Sequence, residues 1–119
     1  MAPKINSRAK GSRFERRILK DLEELTGIKG RRTSDGYNQS ARGDIIHEFL
    51  DDYSVEAKHR EQVALPKWIE QAESDAAEGK EPIVVWRTNK IGPYVNMRWE
   101  HFLDLVERAA GMQFLEEVR

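Results

Sequence analysis

The chain has 119 residues, and its 20 basic and 21 acidic side chains leave a formal net charge of −1. That length suits one domain, the absence of cysteine excludes disulfides, thiolate catalysis and Cys-based zinc sites, and no apolar run approaches the ~20 residues that span a bilayer. A near-neutral total argues against a nucleic-acid partner, but residues 1–43 hold eleven basic and five acidic side chains, whereas residues 44–119 hold nine and sixteen.

Residues 1–11 lack hydrophobic periodicity and read as a flexible basic lead-in to a single domain over 12–119. They carry Lys4, Arg8 and Lys10 without an apolar core, so a cytoplasmic protein is expected rather than a secreted one. From Ser12 to Thr26, Phe14, Ile18, Leu22 and Leu25 recur at helical spacing, with Ser12 and Glu15 placed as a capping box and Gly27 as the stop. Residues 28–33 suit a short strand, and 34–43 a loop of turn-forming residues. Asp44–Leu50 and Tyr53–Lys58 read as two strands joined around Asp51 and Asp52. Pro66 opens a second helix with the stripe Leu65, Trp68, Ile69, Ala72 and Ala76, ended by Gly79. Pro82–Thr88 has the continuous apolar run of a buried strand. Tyr94–Arg98 suits an edge strand, and a last helix runs from Trp99 to about Ala110, interrupted by Gly111. This order predicts an α/β domain with helices packed on a mixed central β-sheet.

In a strand, residues two apart share a face, so Glu56 and Lys58 project together while Tyr53, Val55 and Ala57 point the other way. Alone, that pair is equally a surface salt bridge. Asp44, at the start of the preceding strand, changes its weight: a hairpin that sets Asp44 beside Glu56 makes two carboxylates and an ammonium converge. Paired carboxylates suit Mg²⁺, a hard ion that prefers oxygen, and such an ion activates water and neutralises phosphate charge. Register decides between the readings. A strict two-residue turn pairs His47 with Glu56 and turns Asp44 away; a longer connection, with Ile46 opposite Glu56, returns it to the Glu56 and Lys58 face. Glu15 has two readings as well, a local helix cap or a reach toward a metal site. Arg13, Arg16 and Arg17 share one helix face.

Glu15 in the first helix, Arg32 and Ser34 before a loop, then Gly43-Asp44 and Glu56-Ala57-Lys58, resemble the PD-(D/E)XK nucleases over residues 11–88. The likeness is greatest to archaeal-type Holliday junction resolvases and their phage relatives. Gly43 stands where that pattern usually has proline. The resemblance implies a restriction-endonuclease-like αβββαβ core with an extra C-terminal strand and helix. It implies Asp44, Glu56 and the Ala57 carbonyl as ligands of Mg²⁺, with Glu15 completing the site directly or through water and Mn²⁺ as substitute. It further implies that Lys58 orients the attacking water or stabilises the pentacovalent phosphate, and that Ser34 lies near the catalytic centre on a segment that contacts DNA. Arg13, Arg16, Arg17, Arg31, Arg32 and Arg42 would hold the DNA backbone.

The expected activity is metal-dependent endonucleolytic cleavage of branched DNA, a four-way junction, by a homodimer, with no membrane partner. Two opposing cuts need two sites, and the chain offers one. Its interface is expected on the last helix (Phe102, Leu105, Val106 and Phe114) or on the apolar sheet edge. The alternatives are a nuclease of the same fold acting on flaps, single strands or a restriction site, and a junction-binding module without turnover. Gln71 reads as a solvated helix residue, His59 as a strand end within reach of phosphate, and His47, His101 and the three tryptophans as structural.

Overall fold

The computed structural model describes residues 7–36 and 43–118, with side chains through Gly111. Three helices and a five-stranded mixed sheet make the expected restriction-endonuclease-like α/β architecture. Helix α1 spans Ser7–Thr26 and ends where the amide of Gly27, at φ +75°, donates to the Glu23 carbonyl at 2.7 Å. A left-handed glycine of this kind satisfies one of the carbonyls left over by the last turn. The helix begins five residues earlier than expected, so Ser12 lies inside it and caps nothing. Residues 7–11, read as lead-in, form its first turns because nothing from Ser7 to Lys10 breaks a helix and a single Gly11 costs only about 1 kcal/mol. Leu25, assigned to the apolar stripe, is exposed.

Strands β1 (Arg31–Arg32) and β2 (Ile45–Ile46) are short and antiparallel, and β2 pairs antiparallel with β3 (Tyr53–His59). Helix α2 (Leu65–Asp75) carries the chain over to β4 (Glu81–Arg87), parallel to β3, and β5 (Tyr94–Asn96) closes the sheet antiparallel to β4. Helix α3 (Trp99–Val118) runs straight through Gly111, where an interruption was expected.

Both faces of β3 and β4 are covered. Ile18, Leu19 and Leu22 of α1 pack on Ile45, Val55 and Ile83, while Trp68, Ala72 and Ile69 of α2 pack on Val84 and Trp86. Such double coverage is what turns Ile83-Val84-Val85-Trp86 into a continuous apolar run. The expected strand 44–50 is half strand: after Ile46 the chain tightens into a 3₁₀ turn at Glu48–Leu50. His47 sets that turn. Its buried ring accepts the Phe49 amide at Nδ1 (3.1 Å), which leaves Nε2 to donate to the Ile28 carbonyl at 2.9 Å. Among the described residues, no helix is long and apolar enough to cross a membrane.

Candidate active site

The observed pairing of β2 with β3 is Ile45 opposite Val55. Neither expected register has that pairing, because the 3₁₀ turn lengthens the connection. The offset from the face-sharing register is nonetheless an even number of residues, so Asp44 keeps the side that brings it to Glu56. Glu56 hydrogen-bonds the Asp44 carboxylate and feels the charge of Lys58.

Gly43 makes this approach possible. Its φ is +86°, and a Cβ there would lie 2.8 Å from the Val55 nitrogen and 2.9 Å from its oxygen. The chain therefore lies flush on β3, as only glycine allows. Proline, fixed near φ −65°, cannot take this conformation, so the glycine is a different local construction rather than a neutral replacement. Asp44 is then held at every polar group of its backbone. Its amide donates to Val55 (2.6 Å), its carbonyl accepts from the Thr33 amide (3.1 Å), and Thr33 Oγ1 donates to the Gly43 carbonyl (2.8 Å). Asp44 Oδ2 accepts the Ala57 amide at 2.8 Å, standing in for a strand carbonyl beyond the end of β2.

Glu56 is 4% exposed. Burial, first, and then the neighbouring Asp44 charge push its pKa up to about 8, against the opposing pull of Lys58. At neutral pH it is thus protonated and donates to Asp44. Glu15 is also raised, chiefly by burial, with Asp44 adding to the shift and the Arg32 hydrogen bond opposing it. Arg32 Nε donates to Glu15 at 2.8 Å, another of its nitrogens reaches Ser12 Oγ at 2.8 Å, and a third lies 3.5 Å from Asp35.

These residues border a cleft of about 550 Å³, lined by Glu15, Arg32, Ser34, Asp44, Ala57 and Lys58 among others. Glu56 lies behind this lining. Of the arginines expected on DNA, Arg13, Arg16 and Arg17 are exposed on α1 outside the cleft, and Arg17 pairs with Asp21 at 3.6 Å. Arg31 is exposed on β1, and Arg42 lies outside the described residues. Arg32 corrects the expectation of an open phosphate contact: its side chain is 12% exposed and its nitrogens are held within the fold.

Arg8 and Arg60 line the cleft and were missed. Arg8 fell in the supposed lead-in. Arg60 was legible, because it continues the two-residue alternation of Glu56 and Lys58. His59 packs edge-on against Phe14 and bonds Asn89 at 2.9 Å, and Gln71 is exposed outside the cleft.

A family model described as "Phage putative PDDEXK endonuclease" matches residues 6–115, from the first turns of α1 through most of α3. The chain belongs to that family. No match was found among curated proteins or among solved structures. Membership identifies a PD-(D/E)XK nuclease, a class that generally depends on divalent metal. Among the described residues no group of three or more His, Cys, Asp or Glu side chains is gathered as a metal cage, and Glu15 is hydrogen-bonded to Arg32. The Asp44 and Glu56 pair still fits a divalent cation. Two carboxyl groups pressed together in a buried setting hold a proton that a hard cation would replace.

Proposed function

We propose that this nuclease is a Mg²⁺-dependent, structure-selective endodeoxyribonuclease that resolves four-way DNA junctions as a homodimer. The observation that carries the reading is the convergence of Asp44, Glu56 and Lys58 at a cleft whose rim also holds Glu15, Arg8 and Arg60. Asp44 and Glu56, with the Ala57 carbonyl, would hold the metal, and Glu15 would complete its shell on release from Arg32. Bound there, the metal supplies an activated water and charge neutralisation at the scissile phosphate.

The chain's own groups supply the rest. Lys58 orients the attacking water and stabilises charge developing on the phosphate. Glu56 gives up its proton as the site loads, and Ser34 sits where it touches the strand next to the cut. Arg8 and Arg60 hold flanking phosphates, with Arg13, Arg16, Arg17 and Arg31 tracking the backbone further out. Their contacts position DNA without reading bases, consistent with selection by branch shape.

The test is cleavage of a synthetic four-way junction with Mg²⁺ against a linear duplex of the same sequence. Paired, symmetric cuts confined to the junction are expected. Equal cleavage of duplex would leave a nuclease of other substrate, and binding without cleavage at any metal concentration would sink the catalytic roles.

A further inference from the structure

We propose that the turn between β4 and β5 is a second DNA contact, with Lys90 on a phosphate and Ile91 as an apolar wedge at an opened base step. The inference rests on the cleft being the DNA site, and not on which branched DNA is cut.

The turn stands at the cleft end of the sheet. Lys58 and His59 of β3 pair with Trp86 and Arg87 of β4, and the Arg60 amide donates to the Arg87 carbonyl at 3.1 Å. Arg60 lines the cleft, so the residues after Arg87 start about one strand spacing, roughly 5 Å, from it. Side chains at that end brace them. Glu61 accepts the Asn89 amide at 2.9 Å and pairs with Lys10 of α1 at 3.4 Å, and Asn89 Oδ1 bonds His59 at 2.9 Å. Within the turn, the hydroxyl of buried Thr88 accepts the Lys90 and Ile91 amides, each at 3.1 Å. The Thr88 amide donates to the Ile91 carbonyl at 3.0 Å, and Gly92, at φ +96°, folds the chain back against Arg87.

These bonds hold Lys90, Ile91 and Pro93 outward, all exposed, with Ile91 at 47%. Turns are built chiefly from Gly, Pro, Asn, Asp and Ser, and an isoleucine this exposed adds little to the core. Folding alone does not account for it. Isoleucine is among the apolar side chains that enter base steps from the minor groove and part them. That groove is about 6 Å wide, close to the spacing between Arg60 and the turn. A strand held by Lys58 and Arg60 would therefore bring its groove over Ile91, with Lys90 at a phosphate beyond it. Charge favours DNA as the occupant over an apolar protein partner. The cations beside the tip are Arg60, Arg87 and Lys90, whereas the nearby Glu61 carboxylate is engaged by Lys10 and the Asn89 amide.

The experiment uses the full chain carrying Asp44→Ala, a four-way junction with 2-aminopurine at the branch, and a linear duplex as second probe. Unstacking brightens 2-aminopurine, so binding should raise its fluorescence. The rise should be lost in Ile91→Ser and kept in Ile91→Leu. Ile91→Ser should also raise the junction Kd about tenfold and leave the duplex Kd unchanged. Lys90→Ala should weaken binding of both probes about fivefold and lower the salt slope by about one. Leu25→Ser, which removes an exposed apolar side chain at the far end of α1, is the control and should change nothing. Absence of the rise, its survival in Ile91→Ser, its loss in Ile91→Leu or Leu25→Ser, or an unchanged slope in Lys90→Ala overturns the proposal and leaves the junction reading standing. Equal affinity for junction and duplex, with the rise still lost in Ile91→Ser, removes the junction reading and supports the wedge.

Discussion

Glu56 is a carboxylic acid held in its neutral form by burial and by Asp44. Its folded pKa, about 8, lies above the ordinary 4.5, so from pH 4.5 to 8 the folded state binds more protons than the unfolded one. Metal-free stability should therefore fall as pH rises through that window. Glu56→Gln mimics the protonated acid and should flatten the profile, with a Tm equal to wild type near pH 4.5 and higher at pH 8. A variant that tracks wild type at both would show that Glu56 ionises freely. Cleavage should run the other way, rising toward pH 8 as the acid becomes a ligand, and Asp44→Ala should abolish it while retaining or strengthening junction binding. Gly43→Ala forces a Cβ into the Val55 backbone at an unfavourable φ, and about 2–3 kcal/mol of destabilisation is expected by chemical denaturation, with loss of cleavage. These residue identities were legible in the sequence. The glycine's positive φ was not, since it follows from how closely two chain segments approach.

The short segments around β1 and β2 are fixed less by their own strand pairing than by side chains. Arg32 fastens β1 to α1 through Ser12 and Glu15, and Thr33 and Asp44 lock β1 to β2. Arg32→Ala leaves a partly buried Glu15 without its cation, and a loss of about 2–3 kcal/mol in urea unfolding is expected. A loss under 0.5 kcal/mol, within the range of an ordinary surface pair, would reassign Arg32 to the surface. Sequence periodicity found every helix and the central strands, because α1, α2, β3 and β4 bury apolar stripes of the expected period. It placed the start of α1 five residues late, because an exposed first turn has no apolar marker. It also missed the register, since the His47 turn depends on a ring bonded to Ile28, nineteen residues away in sequence.

Across the whole molecule, charge separates along the chain, and the cleft collects cations from both parts: Arg8 and Arg32 from the basic part, Lys58 and Arg60 from the acidic one. With Arg32 committed to Glu15 and Ser12, binding at the cleft that rests on about three phosphate contacts, from Arg8, Lys58 and Arg60, should weaken roughly 40-fold between 50 and 200 mM salt. Fluorescence anisotropy with catalytically inactive Asp44→Ala measures this slope, and a flat salt response would remove phosphate contact as the source of affinity.

The proton between Glu56 and Asp44 also makes this carboxyl pair a small acid store. Loading a divalent ion below pH 8 should release close to one proton per site into the buffer. Titration calorimetry with Mn²⁺ in two buffers of different ionisation enthalpy would then give two apparent heats, separated by that proton. The difference should vanish in Glu56→Gln, so the heat of the buffer reports which carboxyl yields to the metal.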